Sequence, residues 1–309
     1  MAVGLLADRI LGEPPGPVHP VARFGGAMRG IEDRCWADDR KRGVVYALAG
    51  GSIALVAAGV GDAAVGPSAA LGAATALCAA HRSLRTEACA IADLLASGDL
   101  PGARLRLPSL VGRDVGHLDA PEIARAAVES VAENLSDAVV ATALWGLAGG
   151  ASGALLHRAV NTLDAMVGHH SPRYEAFGWA AARADDLLGW PAARLTAVLV
   201  GLARPGRAGA VWTAVRRDAP HHPSPNAGVA EAAFAAALGL RLGGMNRYAG
   251  RPECRPALGE GPAPAVVDVE RAVALADDVA TILVVACCFG WLCAGRGGER
   301  GAPRPRGAR

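Results

Sequence analysis

The sequence predicts an all-α, multi-pass helical membrane protein with four to five spans and large polar loops. Its 309 residues are 52% hydrophobic and only 19% charged, whereas soluble domains usually carry about 25% charge. Ala, Val and Leu dominate, with 40 glycines, and small residues let membrane helices approach closely. Strand-like alternation is scarce, while several uncharged stretches approach membrane length, so helices are favoured.

The first two apolar runs, 44–61 and 63–80, are separated by Asp62. Each is about long enough to span, and together they predict a tight helical hairpin. Both ends of the pair are basic, which places them in the cytoplasm and Asp62 outside by the positive-inside rule. The flanking basic residues are Arg29, Arg34, Arg40, Lys41, Arg42, His81, Arg82 and Arg85.

Four further apolar runs follow. Run 138–156 contains four glycines, so it can span, re-enter or pack inside the bundle. Run 192–203 has twelve residues and spans only if it is extended or tilted. Run 227–240 is Ala-rich and carries a glutamate, which indicates a buried or interfacial helix. Run 279–294 predicts the final span.

Residues 1–295 are therefore expected to form a single helical membrane domain with cytoplasmic loops, embedded in a lipid bilayer. The tail 296–309 is rich in Gly, Arg and Pro and is predicted to be disordered. The formal net charge is only +2. Basic residues are dispersed along the chain, so nucleic acid is not an expected partner.

An acidic stripe precedes the third apolar run. Glu129, Glu133 and Asp137 are spaced i, i+4 and i+8, which places them on one helix face. Asp119 is a good N-cap for that helix, and Arg113 lies just before it. Carboxylates beside an apolar segment repel one another and are costly to desolvate. The stripe indicates a site for a metal or a cationic group; a solvated surface face is the alternative.

A second group of polar residues follows that run. Asp164, with Asp185 or Asp186, can complete a carboxylate site for Mg²⁺, which prefers oxygen ligands. Arg173 and Arg183 suit phosphate or carboxylate groups.

The segment 216–228 opens the Ala-rich helix. Ser224 or Asn226 can cap it, and a helix N-terminus beside two arginines and two histidines is a potential anion site. An ordinary Pro-stiffened cap is the alternative. The sequence has no P-loop, so any ATP binds by a non-Walker route.

Four motifs carry a resemblance to a known family, over a likeness that runs from about Leu5 to Gly250. They are ESVAEN at 129–134, NTLD at 161–164, FGWAAAR at 177–183 and HPSPNAG at 222–228. In this order they resemble the membrane-bound adenosylcobinamide-phosphate synthases of cobalamin biosynthesis, the CobD/CbiB family. The chain departs from the family pattern after Asp137, and at Gly189-Trp190, where the family often has Asn-Trp.

The resemblance implies a multi-pass inner-membrane enzyme that forms an amide. It would join the last free propionate of adenosylcobyric acid to (R)-1-amino-2-propanol or its O-phosphate, with ATP and Mg²⁺ as cofactors. Other enzymes of the corrinoid pathway are possible partners.

This reaction suggests roles for the polar residues singled out above. The metal would be held by Glu129, Glu133, Asp137 and Asp164. The catalytic residues would be Glu133, Asp137 and His222, the last as a base. Substrate and phosphate groups would be bound by Arg113, Asn161, Arg173, Arg183, Ser224 and Asn226.

Two other classes remain open. One is a corrinoid-binding or transport membrane protein without catalysis, which nucleotide consumption would distinguish from a ligase. The other is a regulatory membrane protein of the AmpE type. Such a protein would lack several of the acidic and Pro-Asn-Ala-Gly positions that this chain retains.

Overall fold

The computed structural model describes residues 1–14, 16–169, 171–248 and 250–298. Helices dominate this part of the chain, with one two-stranded antiparallel sheet. The helices are α1 (Ala2–Leu11), α2 (Pro20–Cys35), α3 (Arg40–Val65), α4 (Pro67–Cys78), α5 (His81–Ala96), α6 (Leu100–Arg106), α7 (Ala120–Asn134), α8 (Ala141–Leu163), α9 (Trp179–Ala203), α10 (Ala208–Arg217), α11 (Ala227–Leu238) and α12 (Val266–Gly298). The strands are β1 (Leu242–Tyr248) and β2 (Arg251–Leu258).

Four helical segments among the described residues are long and apolar enough to cross a membrane. They are Arg40–Val65, Ala120–Gly168, Trp179–Ala203 and Val266–Gly290. This confirms the predicted fold class, a multi-pass helical membrane protein.

The first predicted hairpin differs from the structure in its turn and in its second arm. Helix α3 continues through Asp62, and the chain turns at Gly66, whose φ is 84°. Glycine adopts this left-handed backbone without strain, and Pro67 begins the next helix. Helix α4 has 12 residues, or about 18 Å, which is too short to span a bilayer alone.

The third apolar run reverses direction. Gly149 and Gly150 leave helical geometry, and Gly150 has φ 62° and ψ −150°. Asn161 Nδ2 lies 3.4 Å from Asp137 Oδ2 although 24 residues separate them, a distance of about 36 Å along a straight helix. The run is therefore a helical hairpin that brings its two polar ends together, rather than a single span.

Helix α9 is longer than the twelve-residue run that predicts it. It has 25 residues and begins at Trp179, because Asp185 and Asp186 interrupt the hydropathy without interrupting the helix. The final run is confirmed as part of α12, which continues to Gly298. The predicted disordered tail thus begins inside this helix, and its residues 299–309 lie outside the described residues.

Helix α11 is the centre of the main core. All 12 of its residues are buried, which agrees with the predicted interior helix. The β1–β2 hairpin was not predicted, since Gly243 and Gly244 in β1 and two prolines in β2 disrupt the strand pattern. The register pairs Met245 with Cys254 and Gly244 with Arg255. This hairpin packs beside α7 and α11 and brings polar residues to the site.

Candidate functional site

Carboxylates from three distant segments meet inside the bundle. The Asn161 side-chain amide donates to Asp137 Oδ2 at 3.4 Å and to Asp185 Oδ1 at 3.2 Å. Asp164 and Glu133 lie within electrostatic range of Asp137. The structure thus brings Glu133, Asp137 and Asp164 together with Asp185, one of the two aspartates expected to complete a carboxylate site. We call these four carboxylates and Asn161 the acid cluster.

Local helix geometry places two of these acids. Asp137 lies in a π-helical segment, Leu135–Val140, and Asp164 opens a second one, Asp164–Gly168. Such segments rotate side chains out of α-helical register and occur frequently at functional sites. Gly168 lies directly beneath the Asp164 carboxylate, so any Cβ there would collide with Oδ1.

Glu129 lies apart from the acid cluster in a buried ion-pair network. Arg113 Nη2 donates to Glu129 Oε2 at 2.5 Å, and Arg125 Nη1 donates to Oε1 at 3.0 Å. The Gly243 amide also donates to Oε1, at 2.8 Å. Both oxygens therefore already have donors. These contacts favour a structural part for Glu129 and Arg113. The metal role of Glu129 and the phosphate role of Arg113 stay predictions.

The same network fastens the β hairpin to α7. Asn246 is buried on β1, and its Oδ1 accepts from Arg113 Nη1 at 2.5 Å and from Arg125 at 3.2 Å. Arg125 Nη2 also donates to the Met245 carbonyl. We call Arg113, Arg125, Glu129 and Asn246 the latch.

His222 forms a second polar group with residues that the sequence analysis did not single out. Arg255 Nη1 lies 3.3 Å from His222 Nε2, and Glu231 Oε2 lies 3.9 Å from that nitrogen. A guanidinium can only donate, so Arg255 requires an acceptor at Nε2, while the Ser224 backbone amide donates to Nδ1 at 3.1 Å. Nδ1 also lies 3.1 Å from the Ser224 carbonyl oxygen, so these contacts do not assign the imidazole proton to one ring nitrogen. Burial lowers the pKa of His222, so the imidazole is neutral near pH 7.

Glu133 links the two groups, since it lies in electrostatic range of both Asp137 and Arg255. No hydrogen bond of its carboxylate is found within the described part of the chain. Arg255 could not be recognised from the sequence, because its position depends on a hairpin whose strand pattern is absent.

The predicted cap residues are largely occupied by local contacts. Ser224 Oγ accepts from the backbone of Asn226 and Ala227 at 3.3 and 3.1 Å. Asn226 Nδ2 donates to the Asp186 carbonyl, and its Oδ1 accepts from Arg194. Ser224 therefore accepts from the first amide of α11, whereas Asn226, at the N-cap position, makes no side-chain cap hydrogen bond and ties this loop to α9. Their phosphate-binding roles stay predictions.

The two outlying arginines are more exposed. Arg183 Nη1 lies 3.6 Å from Asp186 Oδ2, at the edge of the acid cluster. Arg173 pairs with Glu32 at 3.1 Å and lies over the Trp36 ring. Arg173 is not joined to the acid cluster by any contact among the described residues, and the binding roles of both arginines stay predictions.

Comparison with known proteins agrees with the four motifs. The family model described as CobD/Cbib protein matches residues 1–276. The chain belongs to the CobD/CbiB family. The family match includes every residue of the acid cluster, the latch and the His222 group.

Curated relatives in this family are named cobalamin biosynthesis protein CobD. The one from Mycobacterium tuberculosis (strain CDC 1551 / Oshkosh) is 46% identical over 279 residues, covering 88% of this chain and 89% of that protein. The one from Geobacter metallireducens is 44% identical over 268 residues, with 83% and 84% covered. The one from Rhodobacter capsulatus is 49% identical over 197 residues, with 63% and 62% covered. No solved structure matches the chain.

The donor chemistry of this CobD/CbiB site fits a hard cation but does not form a complete metal cage. Among the residues that the structure describes, no three His, Cys, Asp or Glu side chains are arranged to hold a metal ion. Asp137 and Asp185 nevertheless offer two neighbouring carboxylates. Mg²⁺ commonly takes one or two carboxylates together with waters and substrate phosphates, so the pair fits that mode of binding.

Proposed function

We propose that this chain is the amide-forming enzyme of cobalamin biosynthesis. It would join the free propionate of adenosylcobyric acid to (R)-1-amino-2-propanol or its O-phosphate, with ATP and Mg²⁺. Membership of the CobD/CbiB family supports a role in cobalamin biosynthesis. The observation that supports the site most strongly is the amide of Asn161 between Asp137 and Asp185. It joins the NTLD motif to two acids that closely follow the ESVAEN and FGWAAAR motifs.

The acid cluster suits two parts of this chemistry. Its negative charge would attract the ammonium group of the amino alcohol, and its carboxylates would hold Mg²⁺ through Asp137 and Asp185. Bound Mg²⁺ would supply charge neutralisation for the phosphates of ATP.

His222 is the candidate base on the other side of Glu133. Its neutral imidazole would accept, at Nε2, the proton that the ammonium must lose before it attacks an activated carboxyl group. Arg255, which lies 3.3 Å from that nitrogen, would bind a substrate carboxylate or phosphate when the base is in use.

We place the protein in the inner membrane, with its basic segments toward the cytoplasm, where ATP and corrinoid are supplied. The decisive experiment uses purified protein in detergent with adenosylcobyric acid, the amino alcohol or its phosphate, and Mg·ATP. Mass spectrometry should detect an amide product and ADP that require every component. Corrinoid binding without product or nucleotide turnover would refute the ligase proposal.

A corrinoid transporter is the second candidate, and one observation favours it. Carboxylates lie at the base of the helical hairpin that reverses at Gly149 and Gly150, and hydrophobic segments interrupted by glycine point to substrate sites in transporters. Uptake of labelled corrinoid into sealed proteoliposomes, without amide formation, would support this reading instead.

A further inference from the structure

Glu231 is the one ionisable residue of helix α11, and it lies in the middle of the main core. Apart from this glutamate, α11 consists of Ala, Gly, Val, Phe and Leu, and every residue of the helix is buried. Only 2% of Glu231 is exposed. A carboxyl group is costly to bury unless another group makes use of its charge or its proton. The neighbours of Glu231 therefore indicate what this acid does.

His222 packs against the face of α11 that carries Glu231. Gly228 precedes Glu231 by three residues, so the two positions share one helix face. A Cβ at Gly228 would collide with the Cβ of His222, so the missing side chain lets the imidazole lie against the helix. In this position His222 Nε2 lies 3.9 Å from Glu231 Oε2. A buried imidazole and a buried carboxyl group are thus adjacent.

Arg255 makes this neighbour necessary for a base at His222. Its Nη1 lies 3.3 Å from His222 Nε2, so a proton on the imidazole would place a second positive charge beside a guanidinium. Like charges this close oppose protonation, and a carboxylate 3.9 Å away offsets that repulsion. The other charged groups in electrostatic range of His222 or Glu231 are Arg113, Glu129, Glu133 and Glu253.

Burial acts on the two adjacent groups in opposite directions. It raises the pKa of Glu231 and lowers the pKa of His222. Burial thus strengthens the carboxylate as a base and weakens the imidazole. Two ionisable groups that interact strongly take up protons as a unit, and their titration belongs to the pair.

We propose that Glu231 and His222 act as one proton-accepting pair in amide formation, an inference that rests on the proposed function. An N–H bond of the substrate ammonium breaks, and the proton is taken up at His222 Nε2 and shared with Glu231. The charge of the pair changes from −1 to zero, so no uncompensated positive charge arises beside Arg255. The freed amine attacks an acyl phosphate formed with ATP, a second nitrogen proton leaves with the phosphate, and the pair returns its proton to solvent.

The test is the pH dependence of kcat/KM for amide formation by the full-length protein in detergent. Glu231→Gln keeps the size of the side chain but leaves His222 to accept the proton alone. The fall in activity on acidification should therefore move about one pH unit or more toward lower pH, and kcat should fall about tenfold or more. Glu231→Asp withdraws the charge by one methylene and should give a smaller shift in the same direction, which decides the matter if Glu231→Gln does not fold.

Glu87→Gln is the matched control, because it makes the same chemical change at a glutamate that pairs with Arg106. It should leave both the rate and the pH dependence as in wild type. A purely structural loss in Glu231→Gln would lower kcat without moving the pH dependence. An unmoved pH dependence in the Glu231 variants would therefore overturn the proposal, whatever their rates.

A wild type that forms no amide would refute the proposed function, and the pair would then be tested without turnover. Nuclear magnetic resonance of protein labelled with ¹⁵N-histidine, with His222 assigned from His222→Gln, follows the imidazole directly. His222 should show a protonation step in wild type that Glu231→Gln removes. Identical titrations of His222 in the two proteins would show that Glu231 and His222 do not share a proton.

Discussion

Asp137 is the acid on which the proposed chemistry depends most directly. Asp137→Asn retains the size of the side chain and an oxygen for the Asn161 amide, but removes the charge. We expect amide formation to fall by about two orders of magnitude, as for loss of a group that stabilises charge in a transition state. Coupled detection of ADP and product measures this. Asp278→Asn is the control, since Asp278 is half exposed and pairs with Arg204; equal losses in both variants would contradict the assignment.

Asp8 makes stability depend on pH. Its Oδ2 accepts from the His81 amide at 3.0 Å, Oδ1 has no partner in the described structure, and burial raises the pKa of Asp8 from 3.8 to about 6. The folded state therefore holds this proton to a higher pH than the unfolded state, and stability falls as pH rises from about 4 to 6.

Asp8→Asn retains an acceptor for the His81 amide and removes this titration. The variant should match wild type near pH 4 and exceed it at pH 7, by on the order of 2 kcal/mol. Thermal unfolding in detergent across this pH range measures the difference. If the melting temperatures of wild type and Asp8→Asn changed with pH in the same way, Asp8 would not be the source of the pH dependence.

At the scale of elements, the reversal in α8 depends on one glycine. Gly150 combines φ 62° with ψ −150°, a region essentially restricted to glycine, so Gly150→Ala should cost about 1–3 kcal/mol of stability. Gly149→Ala is a matched control, because its φ is −135° and a Cβ there meets no atom within 4 Å. The melting temperatures of the two variants in detergent test this prediction. Equal melting temperatures for Gly150→Ala and Gly149→Ala would contradict it.

The latch and the acid cluster should respond differently to the same substitution. Glu129→Gln leaves two buried arginines without a full counter-charge, so we expect a loss of about 3 kcal/mol in stability. Glu133→Gln removes a charge that has no such pair, and should abolish turnover while the protein still inserts and melts normally. Thermal unfolding and the ligase assay on both variants measure this contrast. Normal turnover in Glu133→Gln would show that Glu133 is not part of the catalytic site.

The sequence predicts the helices well and their contacts only in part. Long apolar runs suffice for α3 and α12, because burial in lipid requires helical hydrogen bonding of the backbone. Hydropathy detects charged residues but not the direction in which their side chains point. The prediction therefore ends the first run at Asp62 instead of at Gly66, and it leaves out the half of α9 that contains Asp185 and Asp186. Asn161 joins Asp137 only through the reversal at 149–150, which the sequence shows merely as clustered glycines.

For the whole molecule, Asp277 on α12 joins three elements at one point. Its Oδ1 lies 2.8 Å from His81 Nε2 of α5 and 3.8 Å from Arg9 of α1, while Arg85 lies 3.6 Å from Oδ2. Asp277→Ala would leave His81, Arg9 and Arg85 without their shared acceptor, at a cost of about 2 kcal/mol. Because side chains of α1 and α5 both contact this acid, the protection of the two helices against amide hydrogen exchange should fall together. Hydrogen exchange resolved by segment should show faster exchange in residues 2–11 and 81–96, with β1–β2 unchanged. Faster exchange spread evenly over the chain would mean that Asp277 stabilises the fold as a whole and does not join these helices in particular.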